Sequence, residues 1–274
     1  MMKTNISLFT DQNHLSRDQY LDSSNLGSRI SLHEAFSVNP IPWQEWIFSQ
    51  IDFPDEAAIL ELGCGSGRLW NDNDQFIDDN WSLFVSDLSL GMVQEAINCI
   101  KGGGYVNGLV VDAITIPFGN DKFDAVIANH MLFHIKNPSQ ALREIHRILR
   151  PGGMIYATTV GRNHLLELRK ELIQARDLDI DVMEDESALA LDNFTLDTGM
   201  EKVRALFQDT EMSVFEDLLE ITFVEPLIEY VKSSIIWELS GSEIQRLREI
   251  IDAKIIKEGS FKIRKHQGMI VARK

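Results

Sequence analysis

At 274 residues, with 44% hydrophobic and 25% charged residues, the chain is long enough for one large α/β domain or two small ones and is not biased toward disorder, collagen or coiled coil. A formal charge of -16 spread along the sequence disfavours nucleic acid and anionic lipid as partners. The two cysteines, Cys64 and Cys99, are far apart and in no ligand-like spacing, so neither a disulfide framework nor a metal site is expected.

The first twenty residues lack the basic-then-apolar pattern of a signal peptide, and no apolar run approaches membrane-spanning length, so no membrane association and a cytoplasmic location are expected. Ala57 to Gly63 (AAILELG) and Trp81 to Leu88 (WSLFVSDL) read as buried strands. Between Ser89 and Ile100, Met92, Val93, Ala96, Ile97 and Ile100 recur at helical spacing behind a serine cap. Gly108 to Ala113 and Phe123 to Met131 supply two more strands. A helix from Pro138 to Leu149 comes next, stopped by Pro151-Gly152-Gly153, and then a fifth strand from Met154 to Val160. Such alternation predicts an α/β fold, a doubly wound, mostly parallel sheet with helices on both faces.

Past Val160 the apolar spacing predicts helices over His164 to Arg176, Thr198 to Gln208, Pro226 to Leu239 and Ser242 to Lys257. Two strand-like runs, Met212 to Phe223 and Phe261 to Ala272, would close the sheet, the second antiparallel. The bases between Lys254 and Lys274 are expected to solvate a helix and a strand rather than form a binding patch. The whole chain is expected to be a single domain, with residues 1–52 as a helical cap, 53–160 as the core and 161–274 as lid helices and closing strands.

The strongest local signal is Glu61-Leu62-Gly63-Cys64-Gly65-Ser66-Gly67, where a strand ends and a helix should begin. Glycines there let the backbone turn sharply and approach a ligand. Asp87, about 20 residues on, ends the next strand, where one carboxylate can grip both ribose hydroxyls of a nucleoside, and Asp112 ends the third. A dinucleotide fingerprint wants G-x-G-x-x-G, whereas Gly63, Gly65 and Gly67 are spaced G-x-G-x-G, and Glu61 would oppose a pyrophosphate. That charge suits a cationic ligand carrying a sulfonium and an ammonium.

In order and spacing, ILELGCGSG, the acid of VSDLS, Asp112-Ala113 before IPF, FDAVIANHMLFHI and LRPGGMIYATT resemble the successive motifs of class I S-adenosylmethionine-dependent methyltransferases, over roughly Ala57 to Val160. The resemblance implies a Rossmann-like seven-stranded sheet with its last strand antiparallel, S-adenosylmethionine as cofactor with S-adenosylhomocysteine as product, and no metal. It further implies that Glu61, Gly63, Gly65 and Gly67 hold the methionine part, with Cys64 and Met92 beside them. Asp87 would take the ribose, Asp112 and Ala113 the adenine amino edge and Leu88 an adenine face, with Asn129 on the methyl-transfer side. The segment Ser24 to Ile51 is similar to a bacterial subgroup of these enzymes, which makes Arg29 and His33 candidates for contact with cofactor or acceptor.

Methyl transfer needs alignment and desolvation more than acid–base machinery, and a base only where the acceptor carries a proton that leaves early. His130 and His134 are the nearest candidates, His134 being expected to assist the acceptor. Helices before the first strand and after the fifth and sixth are expected to roof an acceptor pocket, with Trp43, Trp46, Phe194 and Trp237 as candidate lining. Asn129 precedes His130-Met131-Leu132 rather than the Pro-Pro-aromatic run of enzymes that methylate DNA bases or protein glutamine. A small-molecule acceptor is therefore expected, acted on by a monomer or homodimer. Rival readings are a tRNA-modifying or quinone C-methyltransferase, a non-catalytic nucleoside-binding module, and a nicotinamide-dependent oxidoreductase.

Overall fold

Apolar runs bounded by turn residues become the strands of a single sheet. The computed structural model describes residues 6–21, 24–102, 104–177, 192–234 and 237–274. Its strands are β1 (Ala58–Leu62), β2 (Ser82–Asp87), β3 (Tyr105–Val110), β4 (Phe123–Asn129), β5 (Leu149–Val160), β6 (Gln208–Ile221) and β7 (Phe261–Arg273). They lie in the order β3-β2-β1-β4-β5-β7-β6. β1 to β5 pair in parallel, and β7 is antiparallel to both β5 and β6. The expected seven-stranded α/β sheet with its last strand reversed is therefore present.

Because side chains alternate along a strand, two apolar layers form. Leu60, Leu62, Val126, Ala128, Ile155 and Ala157 meet Ala141, Leu142, Ile145 and Ile148 of the helix Pro138–Ile148 on one face. Ile59, Leu83, Val85, Ala125 and Ile127 meet Leu69, Trp70 and Ala96 on the other. A third cluster joins Leu32 and Phe36 of the helix Ser24–Phe36 to the helices Leu166–Ala175, Glu225–Lys232 and Gly241–Glu258 and to the outer parts of β6 and β7. Ser37 bridges to Leu219 of β6, so the segment before β1 is tied to the far side of the sheet.

Several boundaries differ from expectation for local reasons. β3 ends at Val110, which leaves Asp112 in the turn beyond it. The helix Pro138–Ile148 stops one residue early, and Pro151-Gly152-Gly153 opens a bulged β5 instead of ending the helix. Gly152 there takes φ +81°, and its N–H donates to the Lys274 carbonyl. The helix expected from Thr198 starts at Leu196, because Thr195 and Thr198 form a capping box, and the one expected to reach Leu239 stops at Lys232.

The late bases are paired. Lys254, Lys262, Arg264, Lys265, Arg273 and Lys274 meet Glu171, Glu220, Glu167, Asp217, Asp209 and Asp121, all within 3.3 Å. Among the described residues no helix is long and apolar enough to cross a membrane, and no group of three or more His, Cys, Asp or Glu could hold a metal ion.

Candidate active site

The glycine loop leaves β1 in a conformation that only glycine adopts without strain: Gly63, Gly65 and Gly67 all have positive φ, at +71°, +52° and +79°. A Cβ on Gly67 would lie 2.8 Å from the Ala96 backbone, so this glycine lets the loop press against the helix Leu90–Cys99. The next helix is a single turn, Arg68–Asn71. Asn73 ends it by donating to the carbonyls of Leu69 and Gln44.

Beside the loop a cavity of about 1520 Å³ opens across the C-terminal ends of the parallel strands. Gly63, Cys64, Gly65, Asp87, Leu88, Met92, Asp112, Ala113, Asn129, His130, His134 and Arg29 all line it. Glu61 and Gly67 do not. Glu61 is 1% exposed beneath the loop, where Trp70 Nε1 donates to its Oε2 at 2.6 Å. Burial pushes its carboxyl up to about 7, against the pull of the Trp70 bond and with a further push from Asp87. Burial likewise drives the Cys64 thiol upward, which makes it inert packing.

Asp87 Oδ2 accepts from Gly65 N at 3.1 Å and Oδ1 from Ser89 N at 2.9 Å. Burial raises its pKa while these backbone bonds oppose the shift. A third backbone N–H, that of Leu88, also bonds this carboxylate, which lines the cavity. Asp112 is fixed from two sides, by Ile114 N on Oδ1 at 3.1 Å and by Gln12 Nε2 on Oδ2 at 2.8 Å. The Gln12 contact brings the segment before Ser24 over this end of the cavity. Asn129 Oδ1 accepts from the Thr158 hydroxyl at 2.6 Å, which turns its amide N–H groups the other way.

The other end of the cavity collects groups that are remote in sequence. His130 stands at φ +51°, its amide donating to Thr158 Oγ1 at 2.9 Å and its ring 5.2 Å from that of Trp43. His134 is held at both nitrogens: Nδ1 lies 2.9 Å from the Phe9 carbonyl and must donate to it, so Nε2 accepts from the Tyr20 hydroxyl at 3.2 Å. Arg29 Nη1 donates in turn to the Tyr20 oxygen at 3.1 Å, and Nη2 to the Ser233 carbonyl at 2.7 Å. Burial pulls both His130 and His134 down to about 4, with Lys265 adding to the effect on His130 and Arg29 to that on His134. Both rings are thus neutral at physiological pH, and of the two it is His130 that lines the cavity without a hydrogen-bond partner for its ring among the described residues.

Of the aromatic residues expected as lining, Trp43 and Trp237 line the cavity, whereas Phe194 lies in the apolar layer under β5 and Trp46 stacks behind Trp43. Sequence reasoning missed Tyr20, His164, Arg169, Tyr230, Lys265 and Gln267, all of which line the cavity. They come from four separate segments and form no motif. The only sequence signal for Lys265 was an i, i+2 alternation in Phe261 to Ala272 that puts Ile263, Lys265 and Gln267 on one face.

Residues 60–157 match a family model described as a methyltransferase domain. A malonyl-[acyl-carrier protein] O-methyltransferase from Enterobacter lignolyticus is 33% identical over 117 residues, covering 42% of this chain and 43% of that protein. A ubiquinone/menaquinone biosynthesis C-methyltransferase from Hahella chejuensis is 26% identical over 116 residues, 41% of this chain and 47% of that protein. The chain therefore spans less than half the length of each of these two curated relatives. Among solved structures, phosphoethanolamine N-methyltransferase 2 from Haemonchus contortus, in complex with S-adenosyl-L-methionine, superposes with a TM-score of 0.57 at 21% identity, over 96% of this chain and 59% of that one. This last likeness is one of fold.

Proposed function

We propose that this chain, whose residues 60–157 match a methyltransferase-domain model, is a class I S-adenosylmethionine-dependent methyltransferase that transfers the methyl group of S-adenosylmethionine to a small molecule. The observation that carries the proposal is a single cavity with two chemically different ends. The glycine loop, Asp87 and Asp112 stand at one, and a separate wall of histidines and aromatic rings at the other. At about 1520 Å³ it exceeds the roughly 300–1,000 Å³ of an ordinary ligand pocket and has room for a cofactor and an acceptor together.

The donor set fits the cofactor. Asp87, already bonded by the backbone N–H groups of Gly65, Leu88 and Ser89, lines the cavity as the carboxylate that would take the ribose hydroxyls, and Leu88 and Met92 offer apolar cover for a base. Asp112 is an acceptor suited to an exocyclic amine. The acids at this end favour a ligand with cationic centres over one with a pyrophosphate. When bound, the cofactor supplies an electrophilic methyl group on a sulfonium that departs as a neutral thioether. Asn129 and the backbone of Gly63 would fix its methionine part, and Arg29 its carboxylate. Glu61 acts from below by holding the loop through Trp70. His130 is the group placed to take a proton from an acceptor.

A small acceptor is favoured over nucleic acid by the pairing of the late bases with carboxylates. A cytoplasmic location accords with two free thiols, Cys64 and Cys99. Incubation with S-adenosyl-[methyl-13C]methionine and a metabolite extract tests the proposal. Label in a small product together with S-adenosylhomocysteine supports it. Tight adenosyl binding with no transfer to any acceptor would favour a nucleoside-binding module instead.

A further inference from the structure

We infer that the acceptor is uncharged and presents a hydrogen-bonding oxygen, a carbonyl or a hydroxyl, to Trp237 Nε1 and His33 Nδ1, whose rings flank that of Tyr230. The inference rests on the methyl-transfer proposal and names the substrate class of that same site.

Three rings from separate elements meet at this end of the cavity, and all three residues line it. Tyr230, in the helix Glu225–Lys232, has its ring 5.8 Å from that of His33 in the helix Ser24–Phe36 and 6.1 Å from that of Trp237. Trp237 is 7% exposed. Its Nε1 and the Nδ1 of His33 are buried and have no hydrogen-bond partner. A buried polar group left unpaired costs stability until a ligand supplies the bond. An indole N–H can only donate, so whatever completes Trp237 must accept, while an imidazole nitrogen donates or accepts according to its tautomer. An oxygen with lone pairs satisfies these demands. A hydrocarbon or an ammonium group leaves the indole unpaired.

The electrostatics of the same wall decide the charge on that oxygen. Lys265 Nζ lies 2.6 Å from Asp217 Oδ2, their side chains 4% and 0% exposed, so the pair brings no net charge to the cavity. Arg169 donates to the Arg162 carbonyl, and Arg29 to the Tyr20 oxygen and the Ser233 carbonyl. His33, His130 and His164 are kept neutral chiefly by burial, which holds the first down to about 3, the second to about 4 and the third well below the usual histidine range. The same burial opposes any ion brought here without a partner of its own, an anion as much as a cation. A neutral oxygen escapes that penalty, and the apolar body that carries it meets the rings of Trp43, Tyr230 and Trp237.

The test is a ligand-detected NMR titration at pH 7, with S-adenosylhomocysteine saturating, of four probes that share a benzene ring. They are acetophenone, α-methylstyrene, which has the same shape with a methylene in place of the oxygen, benzoate and benzyltrimethylammonium. The same titrations are run on Trp237→Phe, which removes the N–H and keeps an aromatic ring. Acetophenone should bind the wild type, with both charged probes weaker by about tenfold or more. Trp237→Phe should weaken acetophenone about tenfold and leave α-methylstyrene nearly unchanged. Retained S-adenosylhomocysteine affinity shows that the variant is folded, and the comparison of charged with uncharged probes on the wild type stands without it. No acetophenone binding, a charged probe binding as tightly as acetophenone, or an equal effect of Trp237→Phe on acetophenone and α-methylstyrene overturns the inference. Failure of S-adenosylhomocysteine to bind the wild type sinks the methyl-transfer proposal instead and is read in a separate titration.

Discussion

Glu61 illustrates how a residue chosen from a motif acquires a different position in the fold. Its place before the glycines was legible, but its burial depends on Trp70 arriving over it from the one-turn helix, which no spacing announced. The consequence is a pH dependence. With a folded pKa of about 7 against 4.5 for the free group, Glu61 binds its proton more tightly in the folded protein, so stability falls as pH rises from about 4.5 to 7. The shift corresponds to on the order of 3 kcal/mol of stability missing above pH 7. Glu61→Gln keeps an oxygen for Trp70 and removes the charge. Urea unfolding should show a flatter pH profile for it and a more stable variant than wild type at pH 8. Equal slopes in the two proteins would refute the burial argument. Turnover offers a second residue-scale prediction. If His130 takes the acceptor's proton, activity is retained at neutral pH, where its ring is free of a proton, and falls as pH drops toward about 4. His130→Gln should lower kcat by about 10²-fold or more, with little change in S-adenosylhomocysteine binding, whereas an unchanged kcat would remove the role. His134, fixed between Phe9 and Tyr20, positions that wall, and its replacement should affect KM before kcat.

At the scale of elements, what the sequence announces well is what local physics decides. The first two parallel strands, the helix behind Ser89 and the helix Gly241–Glu258 all appeared within two residues of their expected bounds. Their signals are apolar periodicity and a cap, and both act within a few residues. Ser240 closes a capping box with Glu243, so Ser240→Ala should cost about 1 kcal/mol and lower the Tm by about 2–4 °C, read by calorimetric melting. No change would show that tertiary packing alone sets that end. Where expectation failed, a distant partner decides the outcome. Pro151-Gly152-Gly153 has the composition of a helix stop, yet Lys274 at the other end of the chain bonds it into β5.

At the scale of the molecule, the acid-bearing end of the cavity was written largely in one stretch from Gly63 to Asn129, while its other end was not. His33, His164, Arg169 and Lys265 come together only because β7 inserts between β5 and β6 and the segment before β1 crosses to β6. The Lys265–Asp217 pair sits at that junction, its two side chains 4% and 0% exposed, with Ser37 and Asn39 also donating to Asp217. Lys265→Met leaves that carboxylate buried without its counter-charge and should destabilise the protein by about 3–5 kcal/mol, while Lys265→Met with Asp217→Leu should recover much of the loss in urea unfolding. A loss of the same size in both would show that packing, not charge, holds the junction.

The central claim, that the acid-bearing end of this cavity holds an adenosyl cofactor, is tested most directly by calorimetric titration with S-adenosylhomocysteine, S-adenosylmethionine and NADH, on wild type and on Asp87→Ala. Two ribose hydrogen bonds to a buried carboxylate are at stake, so both adenosyl ligands should saturate the wild type and bind about 100-fold more weakly to Asp87→Ala, with no heat from NADH. NADH binding in their place, or adenosyl binding indifferent to Asp87, would contradict the account.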